Sequence, residues 1–559
     1  MRYRSNIKFK EVTSQQTVLF PSNIGDRIPD NHPVRLVNSI VDQLNIDRIL
    51  ELYKGGGTSS YHPRIMLKIL FYSYFNNIQS CRKIEKMLHE NIYFMWISGN
   101  NTPDFRTINY FRSKRLKDII QDLFAEMVRL MADLGYVSLE KQYIDGTKIE
   151  AASNRYTFVW RGSSEKNKAK LEEKIKLVLS EIESAIKQDD QVNSSGNEIG
   201  NIDSKELKKR IEELNQRLDK LNKKQQKNVE KLEKEHLPKL KEYENQLNIL
   251  GERKSYSKTD PDATFMRMKE DHMKNGQLKP GYNVQISTEN QIITNYTMHQ
   301  RPGDTATLKP HLEQFEQQQG KQSKQVIADS GYGSEENYEY AQNKGIEAFI
   351  KYNWFHKEQK RKYKNDPFLP ANLFYNAESD FLVCPTGQKM HCVSVQKRTS
   401  DLGYLSTVHI YQAINCNGCP MRGSCHEGKG NRRIEINHKL RRYRAQARER
   451  LMSEQGLEHR SMRPIEPEAV FGQIKFNNKF NRFTLRGLEK VNVEFGLVAI
   501  SHNLRKIVSR ISGLSAKKDI YAFCIEKLWH MLDVLETIMR NEIPSETKNR
   551  LNINMAYQN

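Results

Sequence analysis

Apolar positions recur at helical spacing from Pro33 to about Tyr136, and no stretch there alternates with the period of a strand. Thr102 followed by Pro103 predicts a helix start, with the helix running over 105–116. That helix carries Arg106, Asn109, Arg112, Lys114 and Arg115. Two shorter helical stretches, 80–88 and 91–97, precede it. The trio fits a helix-turn-helix with 105–116 as its recognition helix, and a solvated basic face is the other reading.

The pattern changes at 165–250. Leu171, Ile175, Val178 and Ile182 alternate steps of four and three, and Leu207, Ile211, Leu214, Leu218 and Leu221 do the same. Two heptad seams joined by a polar linker around 189–203 predict an antiparallel coiled-coil hairpin, or a coiled coil between chains. Strand and helix signals alternate after 255. Strands are expected at 281–287 and 292–298 as a hairpin, then a helix from an Asp304 cap to about Gln319. A strand at 325–328, a helix opening at Ser334 and a strand at 346–352 follow. With the strand that enters Asp145, these make a mixed α/β sheet with an inserted hairpin.

The expected order is a basic arm (1–30) and a helical domain with the candidate recognition helix (31–138). The first part of the α/β core (139–164), the helical insertion (165–254) and the second part of the core (255–375) come next. A Cys-rich unit (376–430), a helical third part of the core (431–510) and a C-terminal helix (511–559) complete it.

Charge narrows the class. The 559 residues carry a net +21 and only 37% are hydrophobic. Such a balance favours a polyanionic partner through phosphate neutralisation, with nucleic acid first and an anionic membrane second. Within 431–490 there are 15 Lys and Arg against 7 Asp and Glu, a local net of 15 − 7 = +8. No apolar run is long enough to span a bilayer, and the first ten residues lack the apolar centre of a secretory leader. A cytoplasmic, nucleoid-associated protein is the expectation.

Three acids stand in settings that suit phosphoryl-transfer chemistry. Asp329 ends the apolar run V-I-A and precedes S-G-Y-G. Asp145 follows Tyr143 and Ile144 at a strand-to-loop transition, although a lone D-G is more often a turn. Glu468, with Glu466 as close competitor, is placed in the first turn of a helix with Pro467 at its first position. Gly472 and Lys475 then share its face, while Val470, Phe471 and Ile474 face the core. Three carboxylates on two strand ends and one helix can hold two Mg²⁺ or Mn²⁺ ions. Five of the seven cysteines fall between 384 and 425. Cys384, Cys416, Cys419 and Cys425 are the preferred set for one structural Zn²⁺, with Cys392 or His426 as replacements; free thiols are the other reading.

The motifs Y-I-D-G-T-K, T-D-P-D-A…G-Y-N-V-Q, V-I-A-D-S-G-Y and P-E-A-V-F-G-Q-I-K occur in this order. With H-P-R-I-M-L-K-I-L…S-C-R-K-I-E…T-P-D-F-R-T-I-N-Y-F-R and C-P-T-G…C-N-G-C-P-M-R-G-S-C, the chain resembles bacterial insertion-sequence transposases of the DDE type over roughly 30–510. The resemblance implies a ribonuclease H-like core, two divalent metals and binding to terminal inverted repeats and target DNA, as a homodimer or larger assembly. It carries the three acids onto Asp145, Asp329 and Glu468. The family's arginine and tyrosine upstream of the glutamate have no aligned match: Arg463 is one position off and the nearest tyrosine is Tyr443. The family's downstream lysine falls on Lys475. Arg106, Asn109 and Arg112 are expected at the transposon ends, and Lys475, Lys479 and Arg482 on the DNA backbone.

Overall fold

The computed structural model describes residues 23–53, 60–190, 202–216, 223–268, 276–400 and 402–514. Most of the C-terminal helix expected at 511–559, Leu218 and Leu221, and most of the basic arm lie outside them. The chain divides into two compact units, one of residues 1–109 with 503–559 and one of 110–502.

The first unit is helical. Helices Pro33–Gln43 and Pro63–Phe75 each start with proline at the first turn and a histidine whose ring nitrogen accepts a backbone N–H. Proline has no N–H to lose there, and its fixed φ suits the helix. Met66, Leu67, Ile69, Leu70 and Phe71 are all buried, which fits an apolar helix covered on nearly every side. Helices Cys81–Glu90 and Ile92–Ile97 follow, the second capped by Asn91. The next helix begins at Phe105, and Asp104 rather than Thr102 accepts the Thr107 N–H.

The second unit is mixed α/β. Its strands are β1 (Lys141–Glu150), β2 (Phe158–Trp160), β3 (Ser255–Ser257), β4 (Thr264–Arg267), β5 (Leu278–Glu289), β6 (Ile292–His299), β7 (Gln325–Ala328) and β8 (Glu347–Ile350). The main sheet runs β4-β5-β1-β7-β8, with β6 also on β5. β1 is antiparallel to β5 and parallel to β7, and β7 is parallel to β8. Asn290 and Gln291 both have positive φ, as a two-residue hairpin turn between β5 and β6 requires.

Asp145 lies in the middle of a ten-residue strand, not at its end. Gly146 is a strand residue rather than a turn. A Cβ there would crowd the side-chain ends of Gln285 and Asp304, so any larger residue would have to displace them.

The segment between β2 and β3 is a helical insert with its own core. Leu171, Ile175, Leu179, Ile182, Leu207, Ile211, Val229, Leu232 and Leu240 pack together, with Val178 and Leu214 against them. The insert has more helical segments than a hairpin. Arg161–Asp190 and Ser204–Asn215 are followed by Lys223–Lys231 and Leu237–Leu250, and the last also packs on the first. The polar composition of 223–231 hid this return leg from its periodicity.

A second sheet has the order β13-β12-β11-β10-β9, built from β9 (Phe374–Asn376), β10 (Phe381–Val383), β11 (Lys389–Thr399), β12 (Leu405–Ala413) and β13 (Arg433–Ile436). Leu382, Met390, Tyr411, Ala413, Ile434 and Ile436 form its core.

Candidate active site

The parallel register of β1 and β7 pairs Tyr143 with Ile327. Two residues further along stand Asp145, within β1, and Asp329, just past the end of β7, level with each other and on one face of the sheet. Asp329 accepts the Gly331 N–H at 2.8 Å, which turns the chain at the strand end. Ser334 then caps the helix Glu335–Asn343, the division of labour its sequence predicts.

Glu468 reaches the same place from a third direction. The Arg463 guanidinium lies 3.1 Å from Asp145, 3.7 Å from Asp329 and 3.3 Å from Glu468. Three acids separated by 329 − 145 = 184 and 468 − 329 = 139 residues thus share one cation.

A π turn explains how Arg463 takes part. Residues Pro464–Glu468 form a π-helical segment in which the Ala469 N–H bonds the Pro464 carbonyl. Pro467 has no N–H for the Arg463 carbonyl, so the α-helical pattern fails there and a residue is absorbed. A separation of five then places Arg463 and Glu468 side by side. The same turn corrects the position expected for Pro467, which sits inside the helical segment while Pro464 occupies its start. Glu466 points elsewhere: it is buried and accepts the Gln291 N–H at 2.8 Å. Burial pushes its carboxyl above the usual carboxylate value.

Two further residues belong to this site, and neither was evident from sequence. Asp304 does not cap the helix Leu308–Gln319, whose cap position is Thr307. Its carboxylate instead accepts the side-chain amides of Asn283 at 2.8 Å and Gln285 at 2.9 Å. Gln285 is in turn held by the buried hydroxyl of Tyr332. Burial, then the charges of Asp304, Asp145 and Asp329, hold that hydroxyl far above its ordinary pKa, so it stays a neutral donor. The other is Lys351, just past β8. Burial, with Arg463 and Arg460 nearby, holds its amine below the ordinary value.

The basic residues expected on DNA divide. Arg106, Asn109, Lys479 and Arg482 are exposed. Arg482 also bonds the Ala151 and Ser153 carbonyls at 3.1 and 2.9 Å. Arg112 is 4% exposed, and its charge acts on the buried Glu494 carboxylate. It lies in a second π segment, Phe111–Arg115, so the 105–116 helix is not one continuous α-helical face. Lys475 is 3% exposed and donates to the Lys148 carbonyl on β1 at 3.0 Å. It lies in a third π segment, Gln473–Asn477. Val470, Phe471 and Ile474 are core residues as their spacing predicts.

No three of the thiols of Cys384, Cys416, Cys419 and Cys425 lie within 4.8 Å of one another. The Cys384 sulfur accepts the Gln388 N–H at 3.3 Å, and Arg432 donates to Cys416 at 3.3 Å and to Cys425 at 3.1 Å. Among the described residues, the acid, thiol and imidazole atoms that do meet within 4.8 Å are those of Asp380, Cys392 and His409. No helix among them is long and apolar enough to cross a membrane.

Residues 383–508 match the family model described as Transposase DDE domain, and residues 22–114 match the one described as Transposase domain (DUF772). The first match takes in Arg463 and Glu468; Asp145 and Asp329 lie between the two matches. No curated protein and no solved structure matches the chain significantly. Two transposase-domain matches in one chain, in the order the motifs gave, indicate a DDE-type transposase of the insertion-sequence kind.

Proposed function

We propose that the chain binds the ends of its insertion sequence, cuts the DNA there and joins the freed ends to target DNA at one carboxylate centre. The observation that carries this reading is the meeting of Asp145, Asp329 and Glu468 on Arg463. The strand order β6-β5-β1-β7-β8, with β7 and β8 parallel to β1 and β5 antiparallel, supports a ribonuclease H-like core.

Hard carboxylate oxygens around a site that already holds a cation suit Mg²⁺ or Mn²⁺. Asp145, Asp329 and Glu468 would hold the metal, with Asp304 beside them. When bound, two such ions supply Lewis-acid stabilisation of the attacking and leaving oxygens of an in-line displacement. Arg463 neutralises the acids until then, and afterwards is free to meet a phosphate as a bidentate donor. Lys351, a second cation at the edge of the site, adds to the positive wall that a scissile phosphate faces. The neutral Tyr332 hydroxyl fixes Gln285, and Gln285 fixes Asp304.

Arg106 and Asn109 remain the candidates for reading the transposon ends, and Lys479 and Arg482 for holding the backbone. A homodimer or larger assembly on DNA follows from the need to bring two ends together. Incubation of the protein with its own flanking ends and Mg²⁺, with products mapped, tests the proposal. Cut ends bearing 3′-hydroxyls and strands joined to target DNA are expected. Cutting without joining would instead assign a hydrolytic nuclease, and binding without cutting a non-catalytic DNA-binding protein.

A further inference from the structure

We propose that Asp380, Cys392 and His409, with His438 beside them, form a structural zinc site that clasps the second sheet to the helix following it. This is independent of the DNA-cutting centre and replaces the cysteine-only set.

Three elements of the sheet supply the ligands. Asp380 lies in the turn between β9 and β10, where its φ of 46° is tolerated by a short polar side chain. Cys392 pairs with Tyr411 on β12, and His409 is two residues from Tyr411 on the same face. A bulge between Cys392 and Ser394 shifts the register, and bulges re-aim side chains. The Cys392 sulfur lies 3.9 Å from His409 Nδ1, and all three ligand atoms lie within 4.8 Å of one another.

Zinc–ligand lengths of about 2.0–2.3 Å in a tetrahedron put neighbouring ligand atoms roughly 3.3–3.8 Å apart. The observed cluster is therefore within about 1.5 Å of closure on one ion, a distance side-chain rotation covers. His438, its ring 4.9 Å from that of His409 but outside the group whose ligand atoms meet, would complete four ligands by turning inward.

The surroundings resemble the outer shell of a metal site more than a hydrogen-bonded turn. The Tyr375 and Tyr411 hydroxyls both donate to Asp380 Oδ1, which leaves the second oxygen to offer a cation. Tyr411 also meets His438 Nε2 at 2.8 Å. Such partners orient metal ligands and fix their tautomers. One thiolate, imidazole nitrogen and a carboxylate suit Zn²⁺, a borderline-soft ion, better than Mg²⁺ or Ca²⁺.

His438 opens the helix His438–Met452, whose Tyr443, Ala447 and Leu451 belong to the core around β7 and β8. An ion held here would tie the sheet to that helix and hence to the core.

The test uses the full chain. Zinc content after dialysis should fall by one equivalent per chain in Cys392→Ser and in His409→Asn. In parallel, iodoacetamide labelling of Cys392 in the wild type, mapped by mass spectrometry, should be about tenfold slower with Zn²⁺ than with a chelator. The labelling needs no variant to fold. Unchanged zinc content in both variants, or equal labelling of Cys392 with and without Zn²⁺, overturns the site.

Discussion

Arg463→Met isolates the contact on which the site is organised. Both Arg463 and Asp145 have side chains about one-tenth exposed, at 10% and 9%. Breaking a buried pair leaves the other charge uncompensated, a cost of about 3–5 kcal/mol. Asp329 and Glu468 are 37% and 49% exposed, so water screens them and each adds about 0–1 kcal/mol. The apparent stability of the metal-free protein should therefore fall by about 3–7 kcal/mol, most of it through Asp145. Divalent cations then have no resident guanidinium to displace. Mg²⁺ should restore much of the loss and should stabilise the variant more than it stabilises the wild type. The assay is urea unfolding with and without Mg²⁺ on wild type, Arg463→Met, Asp145→Asn and the double variant. The double variant should be little worse than either single one, because both remove the same pair. Additive losses, or a variant that Mg²⁺ stabilises no more than wild type, would refute the reasoning.

Three other perturbations probe the fold around the site. Lys475→Met should cost about 1–3 kcal/mol of stability, since it removes a buried charge-assisted hydrogen bond to the Lys148 carbonyl, and should leave the salt dependence of DNA binding unchanged; Lys479→Ala should do the reverse. Burial lowers His299 to about 4 and His311 to about 3 from an unfolded value of 6.5, so both are neutral in the folded protein. Their contribution is fully present above pH 6.5 and is lost as pH falls toward 4; for His299 it is on the order of 3 kcal/mol. His311→Gln should flatten that slope in a pH series of urea midpoints, and an unchanged slope would contradict it. Deleting residues 166–251 with a short linker should leave the sheet folded by circular dichroism, because the insert's core is its own and β2 and β3 remain to close the gap. Global unfolding of the deletion would show that the insert supports the sheet.

The strand and helix pattern was readable wherever one face is buried and the other is not. The β5–β6 hairpin, β7 and the Ser334 cap fall close to where alternation and capping residues place them. The pairing of Asp145 with Asp329 was half legible: each sat beside an apolar strand, but only the parallel register sets them level. Asp145 looked like a turn residue because glycine follows it; the glycine answers to Gln285 and Asp304 on its neighbours, which local sequence does not reveal. Arg463, Arg112 and Lys475 were misjudged for one shared reason. All three lie in or next to π segments, where counting by 3.6 residues assigns the wrong face. Pro467 was the available signal for the first of these. Asp304 followed the usual grammar of a helix cap, and its role in the site depends on amides twenty residues away in chain but adjacent in the sheet. The cysteine spacing suggested thiolate ligands, whereas the sheet brings one thiol to an acid and an imidazole from other strands.

The central claim is that Asp145, Asp329 and Glu468 act as one metal-dependent centre for cutting DNA. Mg²⁺-dependent cleavage of the insertion-sequence ends by Asp145→Asn, Asp329→Asn, Glu468→Gln and Glu466→Gln tests it most directly, with end binding measured alongside. The account predicts that the first three still bind the ends but lose cleavage by about a thousandfold or more, as loss of a group stabilising transition-state charge does, while Glu466→Gln keeps cutting. Cleavage that survives loss of Asp145, Asp329 or Glu468, or that vanishes only with Glu466, would contradict it.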